Sequence, residues 1–220
     1  MDPMARTNLT IRLFCYLLSA FWVALCSPVY GMTFEVVVLK GEPIIIAQGT
    51  IVVGDADRLK KVLKKENRHS RGYFAMALNS PGGNVAAAFE VSKLMDAYNI
   101  NTYVPPKFKC ASACAMIVFI AGREHINIKG GLLGFHGCYN SITKQIVGLC
   151  NEAIAQHSIE HGTAYGSVMA FIERVPYDQM IWISGNEADC WAINRYETEA
   201  KPNDYEKCVF DAIRNAVKKQ

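Results

Sequence analysis

An uninterrupted apolar run at 73–78 (YFAMAL) constrains the fold more than any other part of this chain. Turn-forming residues bound it on both sides, and its length is that of a strand. A strand without a polar face has to be covered on both faces, which is typical of a parallel sheet between helices. Further strand patterns lie at Thr33–Leu39, 44–47, 50–53, 102–104 and Leu132–Phe135. Helical patterns lie at 55–67, after Asn84 and after His136, where Ile142, Ile146, Leu149 and Ala153 share one face. This alternation predicts an α/β layered fold with a mainly parallel sheet and flanking helices.

Residues 1–31 have the pattern of a secretory signal. Arg6 and Arg12 precede an uncharged, mostly apolar run at 13–26, which is shorter than the ~20 residues needed to span a bilayer. Gly31 offers a small residue for cleavage before Met32. We therefore predict a signal peptide over 1–31, one domain over 32–220, and a periplasmic or secreted location. The alternative is an uncleaved anchor that contacts the inner membrane through residues 13–26.

Composition and cysteine count narrow the class of protein. Apolar residues make up 51% of the chain and charged residues 20%, which excludes a disordered protein. The net charge of +3 is small and dispersed, so no nucleic-acid partner is expected. Removal of the signal would leave an even number of cysteines, which in an exported chain predicts disulfides. Closeness in sequence favours two candidate pairs: Cys138 with Cys150, and Cys190 with Cys208.

Ser112 stands where a polar loop meets the apolar segment 113–121, which we expect to be a buried helix. A serine in that place can cap the helix. It can also act as a nucleophile, because the free N–H groups at a helix start would stabilise an oxyanion formed beside it. The flanking Cys110 and Cys114 can form a disulfide with each other or with other cysteines, and a thiol nucleophile is a weaker alternative.

Two further motifs could complete such a site. Ser80-Pro81-Gly82-Gly83 follows the apolar strand, and its glycines can turn a backbone N–H into a cleft. His136 ends a short apolar strand and is a candidate general base for a serine nucleophile.

The ordered set of motifs SPGG, CASACAMIVFIAG and GFH resembles the proteolytic subunit of Clp proteases, in the exported Clp-like branch of the Clp/crotonase superfamily. The resemblance implies a layered spiral fold with Ser112 as nucleophile and His136 as base. It also implies an oxyanion hole from the backbone N–H groups of Gly83 and Ala113, with Gly82 and Gly83 binding substrate. The expected partners are a peptide or unfolded protein as substrate and a further copy of the chain in a homo-oligomer.

The third member of the implied triad should be an acid late in the chain. Asp178 is the best candidate, although it stands two residues out of register and the family position falls on Met180. Asp189 is the second choice. The chain has no ATP-binding motif, so an ATP-independent serine peptidase without cofactors is expected.

Several other functions compete with this one. His157 and His161 match the HxxEH pattern of some zinc peptidases and could hold zinc with a downstream carboxylate. A serine–lysine dyad would draw on Lys107, Lys109 or Lys129. A crotonase-type acyl-CoA enzyme shares the fold, but export would remove its substrate. The non-enzymatic alternative is a catalytically inactive Clp-like scaffold that binds peptides or partners.

Overall fold

A computed structural model describes residues 31–140 and 142–196. These residues belong to the second of two compact units, which begins at Gly31. The predicted signal or anchor, except Gly31, and Cys208 lie outside the described residues. Within the described ranges, every helix is too short or too polar to cross a bilayer.

Eight strands and six helices, numbered in chain order, make up the described part. The strands are β1 Thr33–Leu39, β2 Glu42–Gln48, β3 Phe74–Asn79, β4 Ile100–Val104, β5 Lys109–Ala111, β6 His125–Asn127, β7 Leu132–Phe135 and β8 Ile181–Ser184. The helices are α1 Asp55–Val62, α2 Val85–Tyr98, α3 Cys114–Phe119, α4 Gly148–Glu160, α5 Tyr165–Arg174 and α6 Gly185–Cys190. A single 3-10 turn at Lys65–Asn67 follows α1.

The strands form two sheets rather than one. The larger sheet has the order β1-β2-β3-β4-β6, and the smaller has the order β5-β7-β8. Every neighbouring pair is parallel except β1 with β2 and β7 with β8. The prediction of a mainly parallel α/β fold with flanking helices is therefore confirmed.

The core contains the two apolar segments identified in the sequence. Side chains on both faces of β3 are buried, from Phe74 to Leu78. All six residues of α3 are buried as well, and this helix is wound as a π-helix. Burying a helix on every side requires an apolar sequence all round, which CAMIVF supplies.

The ends of three parallel strands meet at one place. Ser80, directly after β3, forms a bridge with Cys110 of β5, with Ala111 N donating to Ser80 O at 2.9 Å. Strand β5 in turn pairs in parallel with β7. Since the carboxyl ends of parallel strands lie on the same edge, the segments that follow β3, β5 and β7 are brought together.

Three local predictions differ from the structure. The helical pattern after His136 begins only at Gly148, and Ile142 and Leu149, expected on its inner face, are exposed. The helix predicted over 55–67 ends at Val62. The strand expected at 50–53 is reduced to isolated bridges, in which Ile51 pairs with Gly83.

Candidate active site

Ser112 occupies a sharp turn between strand β5 and helix α3. Its φ of +54° lies in the left-handed region, which is uncommon for a residue other than glycine and costs about 1–3 kcal/mol. The turn is fixed from both sides, because Ser112 N donates to Gly134 O at 2.9 Å and Met116 N donates to Ser112 O at 2.9 Å. No side chain caps α3, so Ser112 does not have the capping role. A strained serine between strand and helix is the arrangement of a nucleophile elbow.

His136 follows β7 and is only 5% exposed. Its Nδ1 lies 2.8 Å from the carbonyl oxygen of Gly137. Because a carbonyl can only accept, Nδ1 carries the proton and Nε2 of the neutral ring is left as the acceptor. Gly137 is itself held in place by its N–H, which donates to Val175 O at 3.0 Å. The ring therefore has the tautomer that a general base for a hydroxyl requires.

The SPGG loop packs directly against the Ser112 turn. The buried Ser80 hydroxyl accepts a hydrogen bond from Gly82 N at 3.1 Å and folds the loop back on itself. Gly82 and Gly83 have φ of +92° and +149°, so both need glycine. A Cβ on Gly82 would lie 2.8 Å from Ser112 Cβ and 3.0 Å from Ala113 N. The loop and the start of α3 are thus in van der Waals contact.

The Ser112 turn, His136 and the SPGG loop all border one cavity of about 400 Å³. Ser112, His136, Gly82 and Gly83 all line it, so the structure brings together the residues that the sequence singled out, apart from the acid. Ala113 is buried beside it. The remaining lining residues are Thr50, Pro81, Val85, Met116, Cys138, Tyr139, Tyr177 and Met180. Among the described residues no carboxylate lines the cavity, and the polar side chains that do are the imidazole of His136 and the hydroxyl groups of Thr50, Ser112, Tyr139 and Tyr177.

The structure does not bring the predicted acid to the imidazole. Asp178 is exposed and does not line the cavity, whereas Met180, at the family position, does. Asp189 accepts hydrogen bonds from Asn194 Nδ2 at 2.7 Å and Tyr196 Oη at 2.8 Å, so it is engaged elsewhere. The Gly137 carbonyl holds the Nδ1 position instead.

Two disulfides fasten the site to its surroundings. Cys110 and Cys114 bond to each other across Ser112, with their Cα atoms 5.3 Å apart. Cys138 bonds to Cys150, as closeness in sequence predicted, and ties the segment after His136 to α4. Cys190 is also disulfide-bonded. Disulfides fit an oxidising compartment.

The zinc pattern is explained by hydrogen bonding. His157 Nε2 lies 2.9 Å from the carbonyl oxygen of Ile117, which ties α4 to α3. Burial lowers the pKa of His157, which favours the neutral ring. His161 Nε2 pairs with Asp96 Oδ1 at 2.9 Å. Both imidazoles are thus used within the fold, and the described residues contain no cluster of three metal-ligating side chains.

Sequence reasoning missed two aromatic walls of the cavity. The Tyr139 ring lies 5.5 Å from the His136 ring and 5.1 Å from that of Tyr177. Lys144 Nζ stands over both tyrosine rings, at 5.5 and 5.9 Å from their centroids. Tyr177 lies 177 − 139 = 38 residues after Tyr139, so no local or periodic signal could have grouped the two rings.

The fold has relatives among solved structures. A serine-to-alanine mutant of the 1510-N membrane-bound stomatin-specific protease superposes with a TM-score of 0.54 at 15% identity, covering 68% of this chain and 75% of that one. The ClpP1 subunit from Listeria monocytogenes, as an asparagine-to-aspartate mutant, superposes with a TM-score of 0.53 at 18% identity, covering 69% and 88%. The chain has a Clp protease-like fold.

The 1510-N protease has also been solved as a lysine-to-alanine mutant in complex with a substrate peptide, and that structure gives a TM-score of 0.53 at 14% identity, covering 71% of this chain and 75% of that one. No protein-family model and no curated protein sequence matches the chain. At these identities the Clp protease-like likeness concerns the fold alone, and the chemistry has to be argued from the cavity.

Proposed function

We propose that the protein is an exported, ATP-independent serine peptidase with Ser112 as nucleophile and His136 as general base. The observation that carries the proposal is that the two side chains line one cavity together with the SPGG loop. In the proposed reaction, His136 Nε2 takes the proton of the Ser112 hydroxyl as the oxygen attacks the peptide carbonyl. The protonated ring then gives that proton to the leaving amine, and water hydrolyses the acyl-enzyme by the same route.

The backbone supplies the oxyanion site in this proposal. The amide of Ala113 lies at the start of α3, where helix N–H groups have no partner in a preceding turn. The amide of Gly83 belongs to the loop that packs against it. Donors held in place before the reaction lower the barrier because they need no reorganisation when charge develops on the carbonyl oxygen.

We propose that the Gly137 carbonyl replaces the acid of the triad. The Nδ1 contact at 2.8 Å supports this role, and the exposure of Asp178 argues against the triad predicted from the sequence. A neutral carbonyl fixes the tautomer but stabilises an imidazolium less than a carboxylate does. We therefore expect a slow peptidase, suited to flexible or unfolded peptide segments that reach the cavity.

An inactive peptide-binding scaffold is the second candidate. It is favoured by the lining of the cavity, in which none of the described residues is a carboxylate. The homo-oligomer expected from the family resemblance stays a prediction, as does the processing of residues 1–31.

Labelling with a fluorophosphonate probe separates the two candidates. We expect the wild type to be labelled at Ser112, Ser112→Ala to be unlabelled, and His136→Ala to react about 10²- to 10⁴-fold more slowly. Ser70→Ala and His161→Ala are matched controls, since both residues lie outside the cavity, and they should react like the wild type. Labelling that persists in Ser112→Ala contradicts the nucleophile assignment, and a folded wild type that does not react is the scaffold.

A further inference from the structure

A second cavity adjoins the reactive one and has a different chemistry. It encloses about 420 Å³ and shares Pro81 and Met180 with the first cavity. Its wall also includes Ala111, the residue directly before Ser112. An extended peptide advances ~3.3 Å per residue, so a side chain in this cavity belongs to a residue close to the scissile bond.

The described residues that line this second cavity carry a positive charge and no negative charge. Among the described residues that line it, Lys109 alone is charged, and the others are Gln48, Gly49, Asn79, Ser80, Pro81, Ala111, Met180 and Trp182. Within the described part of the chain, Lys109 forms no ion pair. Its Nζ stands 5.5 Å from the centroid of the ring of Trp182, a residue that is 42% exposed.

A second polar group is available beside the ammonium. Asn79 Oδ1 accepts a hydrogen bond from Lys109 N at 3.2 Å, which fixes the orientation of the amide. The Asn79 Nδ2 group then remains as a donor. An ammonium and an amide donor over an aromatic wall match a carboxylate on an aliphatic stem, because the wall covers the methylene groups and the donors meet the oxygens.

We propose that this cavity is a subsite that selects substrates carrying a carboxylate next to the scissile bond. The inference rests on the proposed peptidase function. The carboxylate can come from a glutamate or aspartate side chain within a peptide, or from a free carboxyl terminus. The first source makes the protein an endopeptidase that prefers acidic residues, and the second makes it a carboxypeptidase.

Matched peptides test the subsite. The first comparison uses quenched-fluorescence peptides that carry glutamate on one side or the other of the cleaved bond, each matched by a peptide with glutamine at the same position. The second compares peptides that have a free carboxyl terminus with the same peptides amidated at that end. We expect one position to favour the carboxylate about 5- to 10-fold in kcat/KM, since the pair is partly exposed to solvent. Lys109→Met should remove that preference, whereas Lys129→Met, a second exposed lysine outside the cavity, should keep it.

The result overturns the proposal if the wild type cleaves acidic and amide peptides equally at every position, or if Lys109→Met keeps the preference. A failure of catalysis itself is recognised separately, by the absence of fluorophosphonate labelling. In that case the same peptides are titrated onto Ser112→Ala by tryptophan fluorescence, with Trp182→Phe identifying the responding ring. Tighter binding of the glutamate or free-carboxylate peptide, abolished by Lys109→Met, supports the subsite, and equal binding refutes it.

Discussion

Replacing Gly82 with alanine should disable the site while leaving the fold intact. The added Cβ would lie 2.5 Å from Ala111 O and 2.8 Å from Ser112 Cβ. Carbon atoms normally approach each other to about 3.5–4.0 Å, so the loop and the Ser112 turn have to separate by roughly 1 Å. A misplacement of that size can lower the rate about 10²-fold, and loss of an oxyanion donor has a similar effect.

Gly72→Ala is the matched control for this substitution. Gly72 has a φ of +87°, close to the +92° of Gly82, but its Cβ would meet nothing within 4 Å. Both variants therefore bear the same backbone penalty of about 1–2 kcal/mol for an alanine at positive φ. Only Gly82→Ala bears the clash with Ser112.

The assay is the second-order rate of fluorophosphonate labelling, together with urea unfolding of each variant. We expect Gly82→Ala to react about 100-fold more slowly than Gly72→Ala, and Gly72→Ala to react within twofold of the wild type. Equal labelling rates in folded samples of the two variants would refute the claim that the SPGG loop and the Ser112 turn form one site.

Three further predictions follow from the geometry. Asp178→Asn should change kcat/KM by no more than about twofold, because the carboxylate is exposed and outside the cavity; a loss of 10²-fold or more would return Asp178 to the triad. Replacing both Cys110 and Cys114 with alanine should lower the free energy of unfolding by about 2 kcal/mol and slow labelling. Replacing both Cys138 and Cys150 should lower it by about 3 kcal/mol, because that disulfide closes a longer loop. If both double variants slow labelling equally, the bond across Ser112 has no specific role. Burial lowers the pKa of His125 to about 4. The unfolded chain therefore binds more protons below about pH 6.5, and the free energy of unfolding falls as the pH drops from there toward 4. Measured by urea unfolding, this free energy should fall by roughly 2 kcal/mol between pH 7 and pH 5 because of His125, and the same loss in a His125→Gln variant would refute the assignment.

The sequence predicted the parts of the fold whose patterns are local. The run at 73–78 indicated a strand buried on both faces, and β3 is one because its apolar residues extend over both faces. The apolar segment after Ser112 indicated a buried helix for the same reason. The division into two sheets was missed, because it depends on which strand edges pair, and a short strand such as β5 carries no signal of its partner.

The candidate site, like the fold, was predicted from the sequence only where its signal is local. Ser112, His136 and the SPGG loop were found because each stands at a junction between elements. The family resemblance implied an acidic side chain as the partner of Nδ1, and Asp178 was the best candidate. The structure supplies a main-chain carbonyl there, and any residue in place of Gly137 would also have one.

The seam between the two sheets has a consequence for biogenesis. Ser112 and His136 follow strands of the smaller sheet, while the glycine loop follows a strand of the larger one, and the Ser80–Cys110 bridge joins them. An incompletely assembled chain in which only the smaller sheet has formed therefore holds Ser112, His136 and the Ala113 amide of the proposed site, but lacks the Gly83 amide. For the proposed peptidase, newly made copies would therefore lack a complete oxyanion site, and would remain harmless to neighbouring polypeptides, until both sheets have folded.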